Sequence, residues 1–190
     1  MTALSALSPA PRRTDLLLRL GKALSLFIQG VCALLGGLIA LLVPFVALAG
    51  MGALDNLLPP RDLPIVAAYP GLGLGLLVSL GLIVAAMFLF FGRMRGLIGS
   101  VGDGDPFIPE NAQRLDLMAW LLLAAQVLAV PVAILRERMA ALALDVAPGT
   151  APFAFGRQDL VGIVLVVVLF ILARVFRHGA AMREDLEGTV

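Results

Sequence analysis

Four long apolar runs dominate this chain, at residues 23–48, 71–91, 117–135 and 160–176. Crossing a bilayer by helix takes roughly 20 mainly apolar residues, and in hydrocarbon every backbone N–H and C=O must find its partner within the protein. A helix meets that demand inside one segment, and the runs show no strand-like alternation. The expected fold is all-α, an integral membrane four-helix bundle forming a single domain over residues 1–190. Composition agrees, with 61% apolar and 14% charged residues. A soluble domain holds about 45–50% and about 25%. The last run meets Arg174 early, so either Arg174 snorkels or the span takes in Val175 and Phe176.

The connections set the expected orientation. Residues 1–11 are rich in Ser, Ala and Pro and read as a disordered lead-in. The basic start, the first apolar run and Ala47-Leu48-Ala49-Gly50 together have the outline of a signal peptide. Signal h-regions run about 7–15 residues, so an uncleaved first span is expected. Pro44 should kink that span or mark its exit. Asp55, Asn56 and prolines 59, 60, 64 and 70 break the first connection; Pro148-Gly149 stops the third. Of the 14 basic residues, ten lie in the N-terminal segment, the central loop (92–116) and the C-tail (177–190 with Arg174). The other four are Arg61, Arg136, Arg138 and Arg157. The positive-inside rule then predicts both termini and the central loop in the cytoplasm, with the protein in a bacterial inner membrane.

Polar groups within the spans are sparse. Gln29, Cys32, Ser79 and Gln126 are the main ones, and no ionisable group lies at depth. Carriers and proton relays usually keep one there, so an ion-coupled carrier is disfavoured. Gln29 and Gln126 are expected to hydrogen-bond between helices. Gly71, Gly75 and Ser79 recur every four residues, a stripe that lets helices approach closely. Packing within the chain is preferred there over a homo-oligomer face. With one cysteine and one histidine (Cys32, His178), no multi-cysteine or bis-histidine metal site is available. Neither a cofactor nor a catalytic residue is expected. The net charge of +1 gives no reason to expect direct nucleic-acid binding.

The chemistry concentrates in Gly102-Asp103-Gly104-Asp105-Pro106-Phe107-Ile108-Pro109-Glu110-Asn111. Pro109 suits the first position of a third helix, and Glu110 suits its dipole. Asp103, Asp105 and Glu110 have no known cation-loop spacing. The C-tail offers Arg174, Arg177 and Arg183, then Glu184 and Asp185. Loop carboxylates and tail guanidiniums on one face are expected to pair and form a platform. Phe107 and Ile108 suit a docking surface, or a plug beneath the helix ends.

Gly104-Asp105-Pro106-Phe107, Pro109-Glu110-Asn111, Arg114-Leu115 and the ending Phe176-Arg177-His178-Gly179 with Met182-Arg183-Glu184-Asp185 resemble a bacterial family of four-span membrane proteins of unknown function. Members often carry Thr or Ser before Pro-Glu-Asn as a helix cap. Ile108 cannot serve, so Asp105 or water must cap, or Ile108 packs instead. Members are often encoded beside a small helix-turn-helix regulator, so the resemblance implies a cytosolic transcription factor as partner. The expected function is a non-enzymatic sensor, tether or sequestering partner acting through loop and tail. The alternative is an oligomeric transport or channel subunit.

Overall fold

The computed structural model describes residues 13–54, 68–144 and 157–187. The described residues include four long helices: α1 (Arg13–Gly50), α2 (Pro70–Gly102), α3 (Pro109–Leu144) and α4 (Arg157–Glu187). Each is long and apolar enough to cross a membrane. The described residues hold no strand. The expectations for residues 1–11, for the breakers at 55–64 and for the stop at Pro148-Gly149 lie outside the described residues.

All four helices outrun their apolar segments. α2 continues past Phe91 through Arg93 and Arg95 to Gly102, and α4 continues past Arg174 to Glu187. The central connection therefore has only residues 103–108 outside helix, and the charged tail is an extension of α4. α1 stays helical through Pro44, and α3 through Pro131.

Helices pack in chain order: α1 on α2, α2 on α3, α3 on α4. Among the described residues no other pair of helices packs together, so the four form an open antiparallel row. α2 sits inside the row and is approached from both sides. Val46 lies over Gly73, and Ile39 over Gly81, on the α1 side. Leu135 lies over Gly75 on the α3 side. Gly71 is exposed with open space around it, whereas Gly73, Gly81 and Gly92, the last beneath Gln29, admit α1. Ser79 is half-buried.

The two span glutamines lie at interfaces. Gln29 Nε2 donates to the Phe88 carbonyl at 3.3 Å, from α1 to α2. The Gln126 amide lies against the Cα of buried Gly162, where a Cβ would meet Nε2 at 1.2 Å. α3 and α4 thus touch at a point that admits only glycine without rearrangement.

α1 and α2 stop in the same way. Ala53 N–H donates to the Leu48 carbonyl and Gly52 N–H to the Ala49 carbonyl; Gly52 has φ +74°. Asp105 N–H donates to Ser100 and Gly104 N–H to Val101, with Gly104 at φ +86°. Both are paired 6→1 and 5→2 bonds of a glycine-terminated helix, which satisfy carbonyls otherwise left orphaned. A Cβ at Gly104 meets no neighbouring atom, so the cost of adding one is conformational. Gly104→Ala is expected to cost about 1 kcal/mol, and Gly104→Asn less, as measured by reversible unfolding in detergent micelles.

Candidate functional site

The loop after α2 is built on one side chain. Asn111, in the first turn of α3, is fully buried. Its Nδ2 donates to Ser100 Oγ at 2.7 Å and to the Pro106 carbonyl at 2.8 Å. Its Oδ1 accepts from Arg114 Nη1 at 2.8 Å. Arg114 Nη1 also donates to the Gly96 carbonyl at 3.1 Å, and Ser100 Oγ donates to the Leu97 carbonyl at 2.9 Å. The carboxamide thereby joins the end of α2, the loop and the start of α3. An unsatisfied buried amide would cost about 1–3 kcal/mol, and here both ends are engaged. Ala112, Leu115, Met118 and Ala119 bury the face beneath it.

α3 starts at Pro109, as its missing N–H favours. Asn111 N–H donates to the Ile108 carbonyl at 3.0 Å. The loop is gathered by the Asn111 side chain from within the helix, through the Pro106 carbonyl.

α4 then holds the loop from the side. Arg183 pairs with Asp105. The Phe107 ring lies 5.2 Å from the Phe176 ring, tilted by 39°. The same ring covers Gly179, where an added Cβ would meet Phe107 Cδ1 at 2.7 Å. A half-exposed ion pair is worth about 0–1 kcal/mol, so the aromatic contact and the glycine seat contribute as much to holding the loop as the charges do. Asp103, Glu110, Glu184 and Asp185 are exposed around this junction. Pro106 is half-buried, and Phe107 keeps 42% of its surface exposed.

Of the three tail arginines, Arg183 is the one paired with the loop. Arg174 and Arg177 instead line a cavity with Asp116 and His178. In the sequence Asn111 stands out no more than its exposed neighbours, and neither Ser100 nor Arg114 is among the expected site residues. The available signal was a lone serine one turn before the α2 stop, level with a polar Asn and Arg three residues apart.

Residues 55–190, more than two thirds of the chain, match the family described as a protein of unknown function, DUF2975. The chain belongs to that family. The match covers α2, α3, α4 and the whole loop–tail junction, while α1 lies before it. No curated protein and no solved structure matches the chain.

Replacing Asn111 with Leu leaves the Pro106 carbonyl without its donor and Arg114 with the Gly96 carbonyl alone. The expected loss is about 1–3 kcal/mol of stability, read by thermal unfolding in micelles. Ser100→Ala, which removes one partner of the carboxamide, should lose less.

Proposed function

We propose that this DUF2975 member is a non-enzymatic, membrane-anchored docking platform for a soluble protein. The four helices fix it in the bilayer, and the partner reads the junction of loop 103–108 with the far end of α4. One observation carries this reading: the loop is held from two independent directions, yet leaves its recognition groups outward. Asn111 gathers it from below, and α4 clasps it through Asp105 and Phe107. Phe107 still keeps 42% of its surface exposed, and Asp103, Glu110, Glu184 and Asp185 are exposed along the same loop, helix start and tail. A surface ordered before binding loses less conformational freedom when the partner arrives. An aromatic side chain rimmed by carboxylates suits a partner with an apolar notch and basic surroundings.

The distribution of basic residues supports a cytoplasmic position for this face. A DNA-binding regulator held at the membrane is a partner of fitting charge, since its own basic surface complements the acidic rim. The platform would then act as tether, sequestering partner or sensor.

Affinity purification from native membranes tests this. Phe107→Asp should remove the captured protein while the four-span fold survives, judged by unchanged helical circular dichroism and a monodisperse elution profile. Asp105→Arg should weaken capture, and the added Arg183→Asp should restore it. Undiminished capture by Phe107→Asp, or failure of the reversed pair to restore, would sink the reading. C-terminal reporter fusions check the orientation, with an external C-terminus overturning it.

A further inference from the structure

A second polar site lies on the α3–α4 seam, independent of the loop platform. It is a cavity of about 620 Å³ lined by Asp116, Phe170, Ala173, Arg174, Arg177, His178 and Ala181. Its level in the row is informative. Asp116 immediately precedes the apolar run of α3, and Arg174 is the first charge met near the end of the apolar run of α4. Both walls therefore change from hydrocarbon-like to charged at the same height, where phospholipid headgroups begin. Just below, Trp120 meets Phe170 edge to face, with ring centroids 5.5 Å apart and planes at 83°. An indole at that depth belongs to the interfacial belt.

The charges have a pattern that one class of molecule matches. Arg174 and Arg177 stand three residues apart on α4 and face the same cavity. Two guanidiniums so arranged suit a phosphate oxyanion. Asp116 faces that cavity from α3. A carboxylate would repel a purely anionic headgroup, but it suits a primary ammonium held beside the phosphate. We infer that this cavity binds the headgroup of a zwitterionic aminophospholipid, phosphate on Arg174 and Arg177 and ammonium toward Asp116, with acyl chains running down past Trp120 and Phe170. His178, beside the guanidiniums, adds a further polar contact for the phosphate side. A quaternary choline, which has no N–H to donate, fits the Asp116 end less well.

Trp120 is the only tryptophan in the chain, so its fluorescence reports this seam alone. The full chain is reconstituted in phosphatidylcholine vesicles containing a fixed fraction of lipid brominated on its acyl chains. The brominated lipid is phosphatidylethanolamine, phosphatidylglycerol or phosphatidylcholine in turn. The expected result is enrichment of phosphatidylethanolamine over phosphatidylcholine at Trp120 by about fivefold, what one partly exposed ion pair supplies. Asp116→Asn, a shape-conserving change, should abolish the preference for phosphatidylethanolamine over phosphatidylglycerol. Arg174→Gln with Arg177→Gln, which removes the partners of the phosphate that all three lipids share, should lower quenching by each of them. Equal quenching by all three lipids in the wild type would overturn the site, as would an Asp116→Asn protein that keeps its preference. Displacement of the brominated lipid by an equal concentration of soluble glycerophosphoethanolamine would overturn the lipid assignment in favour of a soluble phosphate ester.

Discussion

Asn111 is the interaction on which the loop-bearing end of this protein depends. A carboxamide with no solvent contact must satisfy two donors and an oxygen from protein groups alone, and here the partners come from three consecutive pieces of chain. Ser100 belongs to α2, Pro106 to the loop, and Arg114 to α3. The geometry of the turn follows from that satisfaction. Gly104 reverses the chain at positive φ, and Pro106 presents its carbonyl inward. Pro109 then begins the next helix. Because the groups are mutually satisfied, the loop can carry exposed charge and an aromatic ring without losing definition.

Small residues govern the rest of the row. α2 has a neighbour on each side, so it needs close approach on two faces rather than one. A stripe at 71, 75 and 79 is regular in sequence, but regular spacing does not say which neighbour a face meets. Gly73 and Gly75 are two residues apart on a helix, hence roughly opposite in direction. The structure uses the first against α1 and the second against α3. The number of neighbours is a property of the assembled row, which no single segment encodes. The spans themselves were legible because hydrophobic length is a local quantity, and so was the start of α3 at Pro109. The Asn111 network was not, since it joins residues 96 to 114 through a turn whose closure brings them together. Arg183 as the partner of Asp105 was legible only as one of three tail arginines; helical phase separates it from Arg174 and Arg177.

An open row has consequences for how the protein meets its solvent. α1 and α4 do not pack on each other among the described residues, and large apolar side chains along both remain exposed. In water such a surface would be untenable. In a bilayer, lipid tails cover it at no cost relative to side chains, and the packing that remains comes from van der Waals fit and hydrogen bonds such as Gln29 to Phe88. Among the described residues the helices of this row do not close around a central space. A transport function would need several copies, whereas a platform needs only one.

α4 links the two sites. Phe176, Gly179 and Arg183 hold the loop, and Arg174, Arg177 and His178 line the cavity. These two sets interleave along three turns of a continuous helix, on different faces of it. A rotation or shift of α4 that improves one set of contacts must therefore alter the other. Gly179 sharpens this coupling, because the Phe107 ring sits where any side chain would stand. For a headgroup to influence the platform, it has to bind one setting of α4 better than another. A headgroup held by Arg174 and Arg177 would do so only if their reach to its phosphate differed between those settings. The Asn111 network, by contrast, ties the loop to α2 and α3, and none of its partners lies on α4.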